Sequence, residues 1–273
     1  MSLTRFEEIK EIFLADVTTD VVMHDIPDDL IINWDQTALH LVPTGQWTMH
    51  HAGDKVVPII KSDDKRQITA VLAATMTGEY LPPQLIYGGK TNRCHPKVTV
   101  PSGWDIWHTH NHWSNEETMK RYIEMIIVPF VARKREALEL GCTFLALVLF
   151  DCFRGQTTAA INSLLEKHHI ISVQIPACCT DKLQPMDISI NKPVKEGVKS
   201  RFQSWYASEV KKQIEHVPVH EVKVDVTATA IKVRSCSWVI AAWQAIEKRP
   251  EISINGFRKA GIIDAVSTAR ART

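Results

Sequence analysis

The sequence has no long apolar run. Its longest, Phe144 to Phe150, spans seven residues, far below the roughly 20 that a helix needs to cross a bilayer, so no membrane span is expected. An excess of charge of one sign is lacking too. With 32 basic and 31 acidic residues the formal net charge is +1, and any grip on a polyanion must come from a local basic face. Cysteine is sparse and shows no pairing pattern. Cys94, Cys142, Cys152, Cys178, Cys179 and Cys236 form no C-x-x-C knuckle, and nothing resembling a secretory signal opens the chain, so reduced intracellular thiols are expected. Apolar residues at 45% and charged residues at 23% of 273 positions predict one globular domain, or one with an appendage.

What is present is a series of short apolar runs. Leu30 to Trp34 reads as a strand carrying Asp35, and Trp47–Ile60 and Gln67–Met76 complete an expected antiparallel meander. From Ile86 to Asn115 neither helical nor alternating period appears, which predicts a long connecting segment. A capping box at Ser114-Asn115-Glu116-Glu117 opens a long helix, with Met119, Tyr122, Ile123, Ile126, Ile127 and Phe130 at helical spacing, a kink at Pro129 and a stop at Gly141. Thr143 to Asp151 has the composition of a strand buried on both faces. A short helix around Ala159–Leu165, a strand over Ile170–Ile175 and a longer amphipathic helix follow, so the expected class is α/β: a mixed sheet with helices on both faces. Past Val217 the text predicts a helix near Trp238–Lys248 and a frayed tail.

Three aspartates stand beside these runs: Asp35, Asp151 and Asp187. Singly, each fits a turn or cap. Together they are the minimum set of carboxylates for hard divalent cations, which need several oxygens from separate elements. Asp181 competes with Asp187 for the third place, whereas Asp63 and Asp64 read as turn residues. The alternating His108, His110 and His112 suggest zinc but lack an obvious fourth ligand, so a structural or substrate-contacting role is expected. Trp104 and Trp113 could stack on bases or pack the domain. Cys152 has no histidine predictably beside it and is not read as a nucleophile, and Cys178-Cys179 is read as a pair of buried thiols. Lys65, Arg66 and the helical stripe Lys192, Lys195 and Lys199 are candidate phosphate contacts, with a solvated surface as the alternative.

Several phrases carry a resemblance. They are Asn33-Trp-Asp-Gln-Thr, Asp64-Lys-Arg-Gln-Ile-Thr, Leu81-Pro-Pro-Gln-Leu-Ile-Tyr with Gly89-Lys-Thr, and His112-Trp-Ser-Asn-Glu. Phe150-Asp-Cys-Phe-Arg-Gly-Gln, Thr180-Asp-Lys-Leu-Gln-Pro-Met-Asp, Asn191-Lys-Pro-Val-Lys and Ile254-Asn-Gly-Phe-Arg-Lys-Ala-Gly-Ile complete the set. In this order they resemble the DDE domain of pogo/Tigger-like transposases of the Tc/mariner superfamily.

The resemblance implies a ribonuclease H-like fold that cuts DNA and transfers strands, with Asp35, Asp151 and Asp187 as both catalytic residues and ligands of two Mg²⁺ or Mn²⁺ ions. It implies Asp35 and Asp187 flanking the metals and Asp151 bridging them, DNA as partner, room for a homodimer, no organic cofactor and a nuclear location. It divides the chain into residues 1–29 as an N-terminal remnant or linker, 30–215 as the catalytic domain and 216–273 as a helical appendage and tail. The family's helix-turn-helix modules have no comfortable place in residues 1–29, so a truncated or transposon-derived piece is expected. The alternative is a catalytically silent module that binds nucleic acid or protein.

Overall fold

The computed structural model describes residues 3–43, 64–153, 155–218 and 221–272. Among the described residues six strands form one sheet: β1 (Ile31–His40), β2 (Gln67–Thr75), β3 (Gln84–Gly88), β4 (Asp105–Thr109), β5 (Ala146–Asp151) and β6 (Ile170–Ile175), in the order β4-β3-β2-β1-β5-β6. β1, β2 and β3 are antiparallel neighbours, while β4, β5 and β6 join by parallel pairing. The expected α/β class with a mixed sheet stands. The meander is real, but its third strand is β3, and the Trp47–Ile60 candidate lies outside the described residues.

The alternation of β2 shows the two layers. Val71 and Ala73 enter one core, whereas Ile68, Ala70, Leu72 and Ala74 enter the other. The first core is covered by α1 (Leu3–Met23), by the helical stretch α2 (Glu116–Tyr122) to α3 (Val128–Ala137), and by α4 (Ala159–Lys167). α5 (Thr180–Leu183) follows β6, and a wide turn over Met186–Ile190 leads into α6 (Asn191–Ile214). The second core lies beneath that turn, α6 and α7 (Ala228–Glu247). Two short helices, α8 (Pro250–Lys259) and α9 (Ile262–Arg270), close the chain.

Several expectations are corrected. The helix cap is Asn115, whose side chain accepts from the Thr118 amide at 2.9 Å while the Thr118 hydroxyl accepts from the Asn115 amide at 2.9 Å. At the expected kink, a single π-helical turn over Ile123–Ile127 widens the backbone just before Pro129, which accommodates the missing N–H and the bulk of the ring. α3 ends at Ala137, with Glu139 turning at φ 56°, short of the Gly141 stop. The segment read as a connector contains β4, a five-residue edge strand too short to show a period. Of the Cys178-Cys179 pair, Cys178 is exposed and Cys179 buried, and all six cysteines are free thiols.

The chain ends differ most from expectation. Instead of a linker, residues 3–23 form a helix that buries Phe13, Val17 and Val21 against β6 and α9. α7 to α9 are no appendage: Trp243 fills the second core, Phe257, Ala260 and Val266 enter the first, and Arg270 donates to the Asp28 carboxylate and the Ile26 carbonyl. A 2% exposed phenyl ring in the main core should behave as any core aromatic. Phe13→Ala is therefore expected to cost about 3–5 kcal/mol in chemical denaturation, whereas a dispensable N-terminal segment would show a change near zero.

Candidate active site

The register between β1 and β5 places the first two acids. Ile31, Ile32 and Asn33 pair with Leu147, Val148 and Leu149, and continuing the parallel alignment sets Trp34 beside Phe150 and Asp35 beside Asp151. Level residues on parallel neighbours point to the same face. Trp34 and Phe150 accordingly stack at 4.6 Å and 5° on one side, which leaves the two carboxylates level on the other. Asp35 thus lies inside β1, not at its end, because that strand runs on to His40 along β2.

The third acid arrives on the turn before α6. Asn33, fully buried, holds this turn: its Nδ2 donates to the Leu149 carbonyl at 2.8 Å, and its Oδ1 accepts from the Met186 amide at 2.9 Å. One side chain thereby ties together the three segments that carry the three acids. One helical turn past Asp187, Asn191 Nδ2 donates both to Asp35 Oδ2 at 2.5 Å and to Asp187 Oδ1 at 2.8 Å, so these carboxylates are immediate neighbours. Asp151 is oriented by Gln156, whose Nε2 donates to its Oδ1 at 2.6 Å while its Oε1 accepts from Trp34 Nε1 at 2.5 Å.

Electrostatics report the crowding. Burial, followed by the nearby Asp187 charge, pushes the Asp35 carboxyl up to about 7 despite the Asn191 hydrogen bond, and Asp151 adds to the rise. Asp151 is raised by burial, with Asp187 contributing and the Phe153 amide and Gln156 opposing. Like charges gathered in a poorly solvated crevice disfavour ionisation unless a cation joins them. Asn191 Oδ1 is also buried there without a hydrogen-bond partner among the described residues. Hard oxygen donors, mutual repulsion and an orphaned carbonyl oxygen fit a divalent cation of the magnesium type.

Asp181 sits apart on α5, exposed beside Lys10, Lys182 and Lys259. Asp64 is committed to Arg66, whose guanidinium also donates to the Val226 carbonyl at 2.6 Å, so Arg66 is a structural tie and not a free phosphate contact. Lys65, Lys192 and Lys195 are exposed and Lys199 is half-buried. Lys192 lies 3.9 Å from Glu196 on an open helix face, a pairing of little energetic weight. Trp113 is 57% exposed, whereas Trp104 packs on the second core. Burial, then Asp151, pushes the Cys152 thiol up, which disfavours a thiolate. The roles of Asn33, Gln156 and Asn191 were not foreseen. Each stands inside a recognised phrase, which was the available signal.

The fold is thus a ribonuclease H-like α/β sheet whose adjacent central strands present acids to a third on a following helical turn. Residues 65–254 match the family described as DDE superfamily endonuclease, and the chain belongs to that family. It is 26% identical over 244 residues to the human pogo transposable element with KRAB domain and 25% identical over 244 residues to its mouse counterpart; in each case 88% of this chain and 36% of the relative align. The chain therefore spans about a third of these relatives' length. Among solved structures, the Mos1 mariner paired end complex with Mn superposes with a TM-score of 0.53 at 14% identity, covering 98% of this chain and 63% of that one. A pre-cleavage Mos1 transpososome gives 0.52 at 13%, covering 92% and 64%.

Two outcomes follow. Because the folded-state pKa of Asp35 lies near 7 against 3.8 for the free group, the folded chain keeps a proton that the unfolded chain has lost in that window. In metal-free buffer, stability should fall as pH rises from about 4 to about 7 and level off above. Denaturation at several pH values should show this slope flattened in Asp35→Asn. Asn33→Ala strands the Met186 N–H and the Leu149 carbonyl, and a loss of about 2–4 kcal/mol is expected in the same assay.

Proposed function

We propose that this chain is a divalent-metal-dependent DNA endonuclease and strand-transfer domain, with Asp35, Asp151 and Asp187 as its metal-holding residues and two Mg²⁺ or Mn²⁺ ions as cofactor. The observation that carries this reading is the convergence of three carboxylates from β1, β5 and the turn before α6, two of them on one Asn191 nitrogen. When bound, such ions polarise a phosphate oxygen, generate the attacking hydroxide or 3′-alkoxide and stabilise the leaving oxygen. The chain's own groups supply placement. Asn33 fixes the spacing of the three segments, Gln156 aims Asp151, and Asn191 bridges Asp35 and Asp187. Asp35 must surrender its proton before it can act as a ligand, so metal affinity rises with pH through about 7.

DNA as the partner is supported by the family and by the exposed Lys192 and Lys195, which follow the acidic turn on the first part of α6. Each would contact the backbone without reading sequence. Recognition of particular DNA ends, dimer formation and a nuclear location belong to the same proposal and rest on the family likeness alone.

The test is nicking of supercoiled plasmid. Purified chain with Mn²⁺ or Mg²⁺ should convert it to open circles. Asp151→Ala should abolish this, and Asp187→Ala should reduce it at least 100-fold, while Asp181→Ala leaves it unchanged. Absence of nicking, with salt-sensitive DNA binding retained, would replace this reading with the silent binding module.

A further inference from the structure

A second cluster of metal-binding side chains lies at the far edge of the sheet, away from the acidic crevice. Cys94 Sγ and one ring nitrogen each of His95 and His108 all fall within 4.8 Å of one another. The fold builds this cluster from two segments. His108 stands on β4 opposite Tyr87 of β3, on the same face as Ile106 and the second core, whereas Asp105 and Trp107 turn to the other face and engage Arg121. Cys94 and His95 come from a short turn after β3, closed by bonds from Cys94 N to Thr91 O at 3.0 Å and from His95 N to Asn92 O at 3.1 Å. Gly89 makes the approach feasible: a Cβ there would meet the Cys94 Cβ at 2.5 Å. The Gly89 amide in turn donates to Thr109 O at 2.8 Å, fixing this turn to the end of β4.

The spacing suits one small ion. His95 Nε2 and His108 Nδ1 are 3.0 Å apart, and a tetrahedral zinc with Zn–N near 2.0–2.1 Å holds two nitrogens roughly 3.3 Å apart. A thiol completes a third corner within a shift of about 1 Å, since Zn–S is about 2.3 Å. Ligand type decides the metal. One thiolate and two imidazoles, with no carboxylate, select zinc over the magnesium or manganese suited to an all-oxygen site. Next to the cluster, the Tyr87 hydroxyl is buried without a well-formed hydrogen bond. Its ring centroid is 6.4 Å from that of His95. Of the three alternating histidines in the sequence, only His108 takes part, and its partners lie upstream of that run.

We propose that Cys94, His95 and His108 form a zinc site, its fourth position taken by water, that pins the turn after β3 to the edge strand β4. Such a clamp stabilises a segment with little regular structure, since metal binding adds directly to folding free energy.

The experiment uses the whole chain without a histidine tag, grown with zinc and passed over a desalting column. Elemental analysis should give close to one zinc per chain. Cys94→Ser and His108→Ala should each lose it, and Asp35→Asn should retain it. Replacing zinc with Co²⁺ in the unmutated chain should give intense tetrahedral ligand-field absorption and a thiolate-to-cobalt charge-transfer band, a readout independent of whether the variants fold. Absence of both zinc and that band from the unmutated chain overturns the proposal, as does zinc that follows Asp35→Asn instead of Cys94→Ser.

Discussion

Three acids can share a cation only if three separate chain segments are held in register, and here that register depends on one buried amide. Asn33 satisfies a carbonyl of β5 with one end and an amide of the turn before α6 with the other, while its own strand carries Asp35 two residues on. Both partners are backbone groups, so the amide fixes chain positions and not merely side-chain rotamers. The ladder between β1 and β5 ends here, at Asn33 and Leu149, so Asp35 and Asp151 stand just past the tie.

Holding these acids together works against folding, because repulsion and burial both oppose ionisation. The neutral amides around them limit this cost. Asn191 and Gln156 each donate to a carboxylate, which favours the charged form without neutralising it as an arginine or lysine would. A cationic partner would compete with a metal, whereas an amide leaves the negative potential in place. Among the described residues, Arg121 and Arg66 are paired elsewhere, with Asp105 and Asp64.

Much of this was legible in the sequence, for identifiable reasons. β5 is an apolar run buried from both sides, so composition alone marked it, and β6, an edge strand with Gln174 exposed, spans the predicted residues Ile170–Ile175. Asp35, Asp151 and Asp187 were marked by motif phrases whose spacing the sheet then explains. β4 was missed because five residues between turn-rich flanks give no periodic signal, and its strand character comes from pairing with β3. α1 was missed because Phe6, Phe13, Val17 and Val21 make too sparse a stripe to stand out beside its charged residues, and its helicity is secured by the surface it covers. The Cys94–His95–His108 cluster needed the β3–β4 register before its members could be seen as neighbours.

The C-terminal helices carry the same lesson into the site. Gly256 of α8 lies so close to the turn before α6 that a Cβ would come within 2.6 Å of the Pro185 carbonyl oxygen. Pro185 immediately precedes Met186, the residue whose amide Asn33 holds. α8 therefore braces from behind the turn that Asn33 anchors from in front, and Ser253 fixes α8 itself by donating to the Thr75 carbonyl of β2 at 2.8 Å. The phrase around Asn255-Gly-Phe thus has a steric reason to accompany the acids: without a glycine at that contact, the turn carrying Asp187 could not seat between α8 and Asn33. Residues 250–262 belong to the architecture of the acidic crevice as much as the strands do.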